Sequence, residues 1–178
     1  KIVYNSKDNL LYVLNLNGAV YEFNPYGDYV DTIEKPVENA FVTDIQYDPD
    51  ENCLWLLDVK NGVIRKFDIE SHKYVQNSER ELPVDLLPLS LMVDKEYLYL
   101  ATIDGTIHLY KKSNFRKLQE FSLNDLNDNS GYLQFKLTGS GIDSKKILAL
   151  KKNIDLKKIR PDFNVDVYQS RFDPDYEL

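Results

Sequence analysis

Short apolar runs alternate with polar turns along this chain, and the alternation is regular. Three tripeptides with a central aromatic residue mark it: Leu11-Tyr12-Val13, Leu54-Trp55-Leu56 and Leu98-Tyr99-Leu100, which lie 43 and 44 residues apart. Each tripeptide is followed by a glycine, and five positions beyond the glycine lies an aromatic residue: Gly18 and Phe23, Gly62 and Phe67, Gly105 and Tyr110. Because three features share one spacing, the sequence predicts an internal repeat of 43–44 residues.

The first repeat predicts a succession of antiparallel strands. Leu10–Leu14 is an apolar run typical of a buried strand, and residues 15–18 form an Asn/Gly-rich hairpin turn. Residues 19–23 alternate between apolar and polar positions, as a return strand does. After a turn containing Pro25 and Gly27, residues 28–33 alternate again and predict an outer strand that faces water.

The other repeats follow the same order. Strands are predicted at residues 42–47, 53–58, 63–68 and around 74–75 in the second repeat, and at 90–93, 97–102, 106–110 and 116–121 in the third. A fourth, weaker repeat has candidate strands at 132–137, 147–150 and 164–168, with no outer strand after them. A short strand at residues 2–4 precedes the first repeat. Each repeat is therefore predicted to form a four-stranded antiparallel sheet.

Two segments could hold helices, and proline argues against both. Residues 155–159 mix Lys and Leu, but Pro161 would end a helix after about one turn. Residues 82–91 are rich in Leu, but Pro83 and Pro88 interrupt them, so this segment is interpreted as a linker between repeats. The fold class predicted is all-β.

Four-stranded units of this length resemble the blades of a β-propeller. The period is similar to that of the WD40 superfamily, and residues 17–30 (NGAVYEFNPYGDYV) resemble the NHL family. The Gly-His and Trp-Asp hallmarks of WD40 repeats are missing, and Phe67-Asp68 is the nearest counterpart of Trp-Asp. The resemblance implies a β-propeller of WD40 or NHL type.

About four blades are expected, with boundaries at residues 1–40, 41–88, 89–130 and a degenerate 131–178. A four-bladed ring is at the small limit of the fold. The chain also opens with a short inner-type strand and ends without an outer one. We therefore expect part of a larger ring of six to eight blades, with a complete four-bladed ring as the alternative. Part of a ring would leave apolar blade faces that need partners.

Composition narrows the function classes. The 178 residues carry 22 Lys+Arg and 29 Asp+Glu, a formal net charge of −7 that argues against a general nucleic-acid binder. The single cysteine, Cys53, excludes a disulfide scaffold and fits a reducing, intracellular compartment, cytoplasmic or nuclear, with an extracytoplasmic location left open. No apolar run approaches the length of a membrane span.

No motif predicts catalysis or a cofactor. His72 and His108 are far apart and, with one cysteine, do not provide the ligand set of a zinc site. Gly139-Ser140-Gly141 lacks the helix that phosphate binding needs. The acidic turns at residues 48–51 and 173–175 lack the calcium-loop spacing, so they are interpreted as solvated turns. We expect neither metal, cofactor nor enzymatic activity.

The last third of the chain concentrates positive charge, in Lys145-Lys146, Lys151-Lys152 and residues 157–160. The favoured interpretation is a solvated face. The alternative is a docking patch for an acidic protein or an RNA backbone, with RNA the less favoured partner.

The function predicted is a non-catalytic interaction scaffold, a subunit of a larger protein assembly. Propeller geometry gathers the second-to-third-strand turns and the inter-blade loops (residues 34–39, 77–88 and 124–130) on one face. The predicted partner-binding residues are Asn15, Asn17, Lys60, Asn61 and Asp104, with Lys157 and Lys158 from the basic segment. The alternative is a ligand-binding or enzymatic propeller with a pocket at the ring axis, lined by Asp44, Gln46, Ser90 and Gln134.

Overall fold

A computed structural model describes residues 1–122 and the backbone of four later strands. Strands are the regular elements of the described residues, which contain no helix. The first sheet has strands β1 (Ile2–Asn5), β2 (Leu10–Leu14), β3 (Val20–Phe23) and β4 (Tyr29–Ile33). Each strand is antiparallel to the next, and their order in space is their order in the chain.

The second and third sheets repeat this arrangement. The second contains β5 (Val42–Asp48), β6 (Cys53–Asp58) and β7 (Val63–Asp68), with two short strands, β8 (Lys73–Tyr74) and β9 (Arg80–Glu81), paired along the outer edge of β7. The third contains β10 (Pro88–Val93), β11 (Tyr97–Thr102), β12 (Thr106–Lys111) and β13 (Lys117–Ser122). Because β10 begins at Pro88, the predicted linker at 82–91 is wrong in its last four residues. Proline is tolerated there, at the first position of a strand.

The fourth sheet departs from the antiparallel succession of the other three. It contains β14 (Tyr132–Thr138), β15 (Lys146–Lys151), β16 (Lys158–Ile159) and β17 (Asn164–Gln169). β17 lies third in the sheet, as predicted for residues 164–168, but runs parallel to β15. The outer strand is β16, so residues 158–159 of the helical candidate form a strand. The remaining residues of that helical candidate, 155–157, lie outside the described residues, as do the predicted turns at 139–141 and 173–175 and the loop at 124–130.

The sheets stack radially through their first strands. β1 contacts β5, β5 contacts β10, and β10 contacts β14, so the innermost strands follow one another in chain order. The outer strand β4 has three exposed residues, as the sequence predicts for an edge facing water. This radial order of four-stranded sheets is that of β-propeller blades, and the predicted fold class is confirmed.

Two apolar clusters join the first three blades. One lies between the first and second blades, and contains Tyr12, Val20, Ile33, Ala40, Val42, Ile45, Leu54, Leu56 and Phe67. The other lies between the second and third blades, and contains Cys53, Trp55, Leu57, Ile64, Leu91, Leu98, Leu100 and Tyr110. Successive residues of β6 point to opposite clusters, so this strand is buried on both faces. The two-sided burial explains why its sequence is a continuous apolar run.

The repeated glycine has a conformational cause. Gly18, Gly62 and Gly105 have φ values of 89°, 63° and 84°, in the left-handed region that residues with a Cβ adopt at a cost. Each closes the turn between the second and third strands of its blade. The period in the sequence therefore reflects a backbone requirement as well as a pattern of burial.

Candidate interaction face

The turns between second and third strands lie beside the inter-blade loops, and backbone hydrogen bonds join them. Val59 N donates to Phe41 O at 3.1 Å, and Leu82 N donates to Gly62 O at 2.8 Å. In the third blade Ile103 N donates to Leu87 O at 3.2 Å. We call this surface the turn face; it comprises turns 15–18, 59–62 and 103–105 with loops 34–41 and 82–87.

In the first blade, Asn15 and Asn17 shape the turn itself. Asn15 donates from Nδ2 to the Tyr21 hydroxyl at 3.1 Å, and its Oδ1 accepts from Leu16 N at 2.7 Å. Asn17 Oδ1 accepts from Ala19 N at 2.9 Å. Both predicted residues lie on the turn face, and both side chains support the backbone of the turn.

In the second blade, the turn is built on a buried carboxylate that the sequence analysis did not single out. Asp58 is fully buried, and its Oδ2 accepts from Asn61 Nδ2 at 2.7 Å. Its Oδ1 accepts from Phe41 N at 3.0 Å, which anchors the inter-blade loop to the turn. Arg65 Nε lies 3.4 Å from Asp58 Oδ2 and balances its charge. Lys60 is exposed at the tip of this turn.

In the third blade, Asp104 supports the backbone of the turn. It accepts hydrogen bonds from the Thr102 hydroxyl and, at 3.1 Å, from Thr106 N. The bond from Thr102 is the main cause that lowers the pKa of Asp104 below the ordinary value of an aspartate. The carboxyl group is exposed, so a negative charge stands at this tip.

The structure thus places five of the seven predicted residues on one surface, and their role in binding stays a prediction. Lys158 lies in β16, away in the sequence from the described turns, and only its backbone is described. Lys157 lies outside the described residues.

Exposed apolar side chains on the turn face were missed by the sequence analysis. Val84 is 99% exposed and Leu16 95%, while Leu87, Ile103 and Phe41 are 68%, 53% and 52% exposed. Leu16 lies between the two asparagines of its turn, and Ile103 directly precedes Asp104. An apolar residue inside a polar turn could have indicated these exposed side chains from the sequence, because turn positions normally face water.

At the inner strands, Asp44 and Ser90 of the proposed axis pocket do meet. Asp44 Oδ2 accepts from Ser90 Oγ and from Leu91 N, both at 2.8 Å. Its Oδ1 accepts from Ile45 N at 2.9 Å and lies 3.0 Å from Lys1 Nζ. Both carboxylate oxygens are therefore engaged in joining the inner strands of three blades. Gln46 is half-buried, and the side chain of Gln134 lies outside the described residues.

Asp48, Glu51 and Cys53 bring their ligand-type atoms within 4.8 Å of one another, at the acidic turn considered for calcium. Two lysines form ion pairs with these carboxylates. Lys112 Nζ lies 2.7 Å from Asp48 Oδ2 and 3.3 Å from Glu51 Oε1. Lys66 donates a hydrogen bond to Glu51. Burial raises the pKa of the Cys53 thiol to about 12, so it is not a thiolate at neutral pH. These contacts make the cluster an ion-pair network between the second and third blades.

The two histidines contact carboxylates in different blades. His72 Nε2 lies 3.2 Å from Glu22 Oε1 and 3.7 Å from Asp31 Oδ2, with its ring edge-to-face on Phe67. His108 Nδ1 lies 3.3 Å from Glu120 Oε2 within the third blade. His108 is buried, and this burial lowers its pKa below the ordinary value.

A cavity of about 470 Å³ lies at the outer edge of the blades. It is lined by Thr32, Ile33, Glu34 and Lys35 from the first blade, and by Phe67, His72, Lys73 and Tyr74 from the second. These residues belong to the end of β4 and the region of β8, so the cavity is peripheral and not axial.

None of the described residues forms a helix of the length and hydropathy that crossing a membrane requires.

Comparison with known proteins identifies the fold. No protein-family model matches the sequence, and a search of curated proteins finds no relative. Solved structures do match, each over 76% of this chain: U3-55K at 12% identity and a TM-score of 0.55, a mitotic checkpoint complex at 16% and 0.56, and the WD40 repeats of RRP9 at 11% and 0.55. The chain spans about two fifths of the length of these solved chains. Its fold is that of a WD40-like β-propeller.

Proposed function

We propose that this chain is part of a non-catalytic propeller scaffold that binds protein partners through the turn face. The observation that carries the proposal is the row of exposed apolar side chains Leu16, Val84, Leu87 and Ile103. Isolated apolar residues on a surface are ordinary, but several on one face mark interaction sites. The division into blades at residues 1–40, 41–88, 89–130 and 131–178 is part of the proposal.

Rigidity of the turns supports this function. Asn15, Asn17 and Asp104 accept hydrogen bonds from backbone N–H groups of their turns, and Asp58 binds Asn61 and anchors a loop to the turn. A surface whose loops are already ordered loses little conformational entropy when it binds. Charged and polar groups beside the apolar tips, such as Lys60 and Asp104, supply the orientation of a partner.

The similarity to chains of known assemblies agrees with a role in an assembly. One matching chain belongs to a mitotic checkpoint complex. An intracellular location is part of the proposal, supported by the single, buried and unpaired Cys53. The axis-pocket alternative receives no support from Asp44, because both of its carboxylate oxygens are engaged in contacts between blades.

The test compares variants in turns at the two ends of the blades. Leu16→Asp and Ile103→Asp place charge at apolar tips of the turn face, while Tyr26→Asp does so in the turn between β3 and β4, where the side chain is 91% exposed. Affinity purification of each variant with quantitative mass spectrometry measures retained partners. Loss of about 2 kcal/mol or more of binding free energy is expected for the first two. Retention of every partner by both, with unchanged unfolding midpoints, would exclude the turn face.

A further inference from the structure

The first blade has one apolar face that no described residue covers. Ile2 pairs with Val13 and Val13 with Tyr21, while Tyr4 pairs with Leu11 and Leu11 with Phe23. Residues opposite each other on antiparallel strands lie on the same side of the sheet. We call this set the leading face: Ile2, Tyr4, Leu11, Val13, Tyr21 and Phe23. The alternate residues, such as Tyr12 and Val20, point the other way into the core shared with the second blade.

The leading face is open to solvent although it carries no charged side chain. Ile2 is 64% exposed and Tyr4 52%, and the other four residues are half-buried. The ring of Tyr29, which is 59% exposed, packs edge-to-face on Phe23 and extends the surface toward the blade's outer edge. An exposed sheet surface of this extent and composition is unusual for a protein that has no partner on it.

The next two blades show what covers a face of this kind. The cross-strand pair Leu11–Phe23 corresponds to Leu54–Phe67 in the second blade and to Leu98–Tyr110 in the third, in the same register. Those four residues are 0–4% exposed, because each pair packs against the preceding blade. Of the three blades whose side chains are described, the first is the one in which this pair is half-exposed. The repeat therefore assigns a blade as the occupant of the leading face.

We propose that the leading face binds a further four-stranded blade of the same ring, supplied by the same polypeptide from outside residues 1–178. Its contact surface would present apolar residues where the first blade presents Tyr12, Val20 and Ile33 to the second. The matching solved propellers leave room for such a blade, because this chain spans about two fifths of their length.

Thiol labelling tests the proposal, because the native cysteine of the chain is expected to contribute little labelling of its own. Cys53 is fully buried, and burial raises its pKa to about 12. Ile2→Cys and Tyr4→Cys place reporters on the leading face, and Val30→Cys places a control on the outer strand, where the native side chain is 49% exposed. In the 178-residue chain all three reporters are expected to react at similar rates. In the complete cellular protein, the first two are expected to react more than about tenfold more slowly than the control.

Three results would overturn the proposal. Equal labelling of all three reporters in the complete protein would show an uncovered face. A stable dimer of the 178-residue chain, with both leading-face reporters protected, would assign the face to a second copy. A complete protein no longer than these 178 residues would leave no further blade to bind. None of these results depends on the turn face, so this proposal and the proposed function succeed or fail separately.

Discussion

Trp55 Nε1 donates a 3.1 Å hydrogen bond to Asp48 Oδ2, and Tyr99 in the next blade donates a 2.8 Å bond from its hydroxyl to Asp94 Oδ2. In the second and third blades an aromatic residue of the second strand thus contacts the acid that ends or follows the first strand. The same acids also hold the connecting turn, since Asp48 Oδ1 accepts from Asp50 N and Asp94 Oδ1 from Glu96 N. In these two blades the central aromatic residue of the tripeptide therefore makes an equivalent polar contact.

Removal of this contact in the third blade is expected to destabilise the fold. Tyr99 is 2% exposed, and Tyr99→Phe deletes the hydroxyl that donates to Asp94 while keeping the ring. The loss should be about 1 kcal/mol in the free energy of unfolding, measured by urea denaturation. Tyr26→Phe, at a 91% exposed position, is the matched control and should leave the midpoint unchanged. Equal urea midpoints for the two variants would mean that the Tyr99–Asp94 hydrogen bond does not contribute to the free energy of unfolding.

The buried ion pair between blades makes a larger contribution. Lys112 and Asp48 are 5% and 1% exposed at their side chains, and Lys112→Met leaves the Asp48 carboxylate buried without its cation. Loss of one partner of a buried pair costs about 3 kcal/mol or more. Lys117→Met is the control, because the Lys117–Glu120 pair is half-exposed and should contribute less than about 1 kcal/mol. Similar urea midpoints for the two variants would contradict this account.

The same network predicts a loss of stability in acid. Burial alone would raise the pKa of Glu51, but hydrogen bonding and charge from Lys66 and Lys112 outweigh it and lower the pKa below 4.5. A carboxylate with a depressed pKa in the folded state stabilises the protein above its unfolded pKa, and this contribution disappears as the pH falls through the folded value. Urea midpoints should therefore fall below about pH 4.5, and less steeply in Glu51→Gln. An unchanged slope in that variant would assign the acid sensitivity to other groups.

A turn glycine provides a test of the repeat itself. Gly18 has a φ of 89°, and a Cβ there would lie 3.7 Å from Val42 N, an ordinary contact. Gly18→Ala should therefore destabilise the protein through backbone strain, by about 1–2 kcal/mol. Gly18→Asn should cost less, since asparagine tolerates the left-handed region better than alanine. Calorimetric midpoints of the two variants measure the difference, and a stable alanine variant would contradict the argument.

Strands buried on both faces could be predicted from the sequence. Cys53–Asp58 and Val63–Asp68 were predicted with their observed bounds, because continuous apolar runs and repeated turn glycines define them. The outer edge of the second blade was harder, since Lys73–Tyr74 and Arg80–Glu81 are short and carry no pattern of burial. The parallel position of Asn164–Gln169 depends on a chain crossing that no local pattern encodes.

The candidate site could be predicted only in part. Turn positions such as Asn61 and Asp104 follow from the repeat, and Leu16 recurs with it as Val59 and Ile103. Val84 lies in an inter-blade loop and has no periodic neighbour to mark it. The Lys112–Asp48 pair joins residues 64 positions apart, and nothing in either segment indicates the other. Contacts between blades therefore required the structure.

Hydrogen–deuterium exchange with a co-purified partner, free and bound, tests the central claim most directly. The account predicts that binding slows exchange in turns 15–18, 59–62 and 103–105, while the turns at 6–9, 24–28 and 49–52 exchange as in the free protein. Protection confined to the second set of turns would contradict the claim that this propeller binds through its turn face.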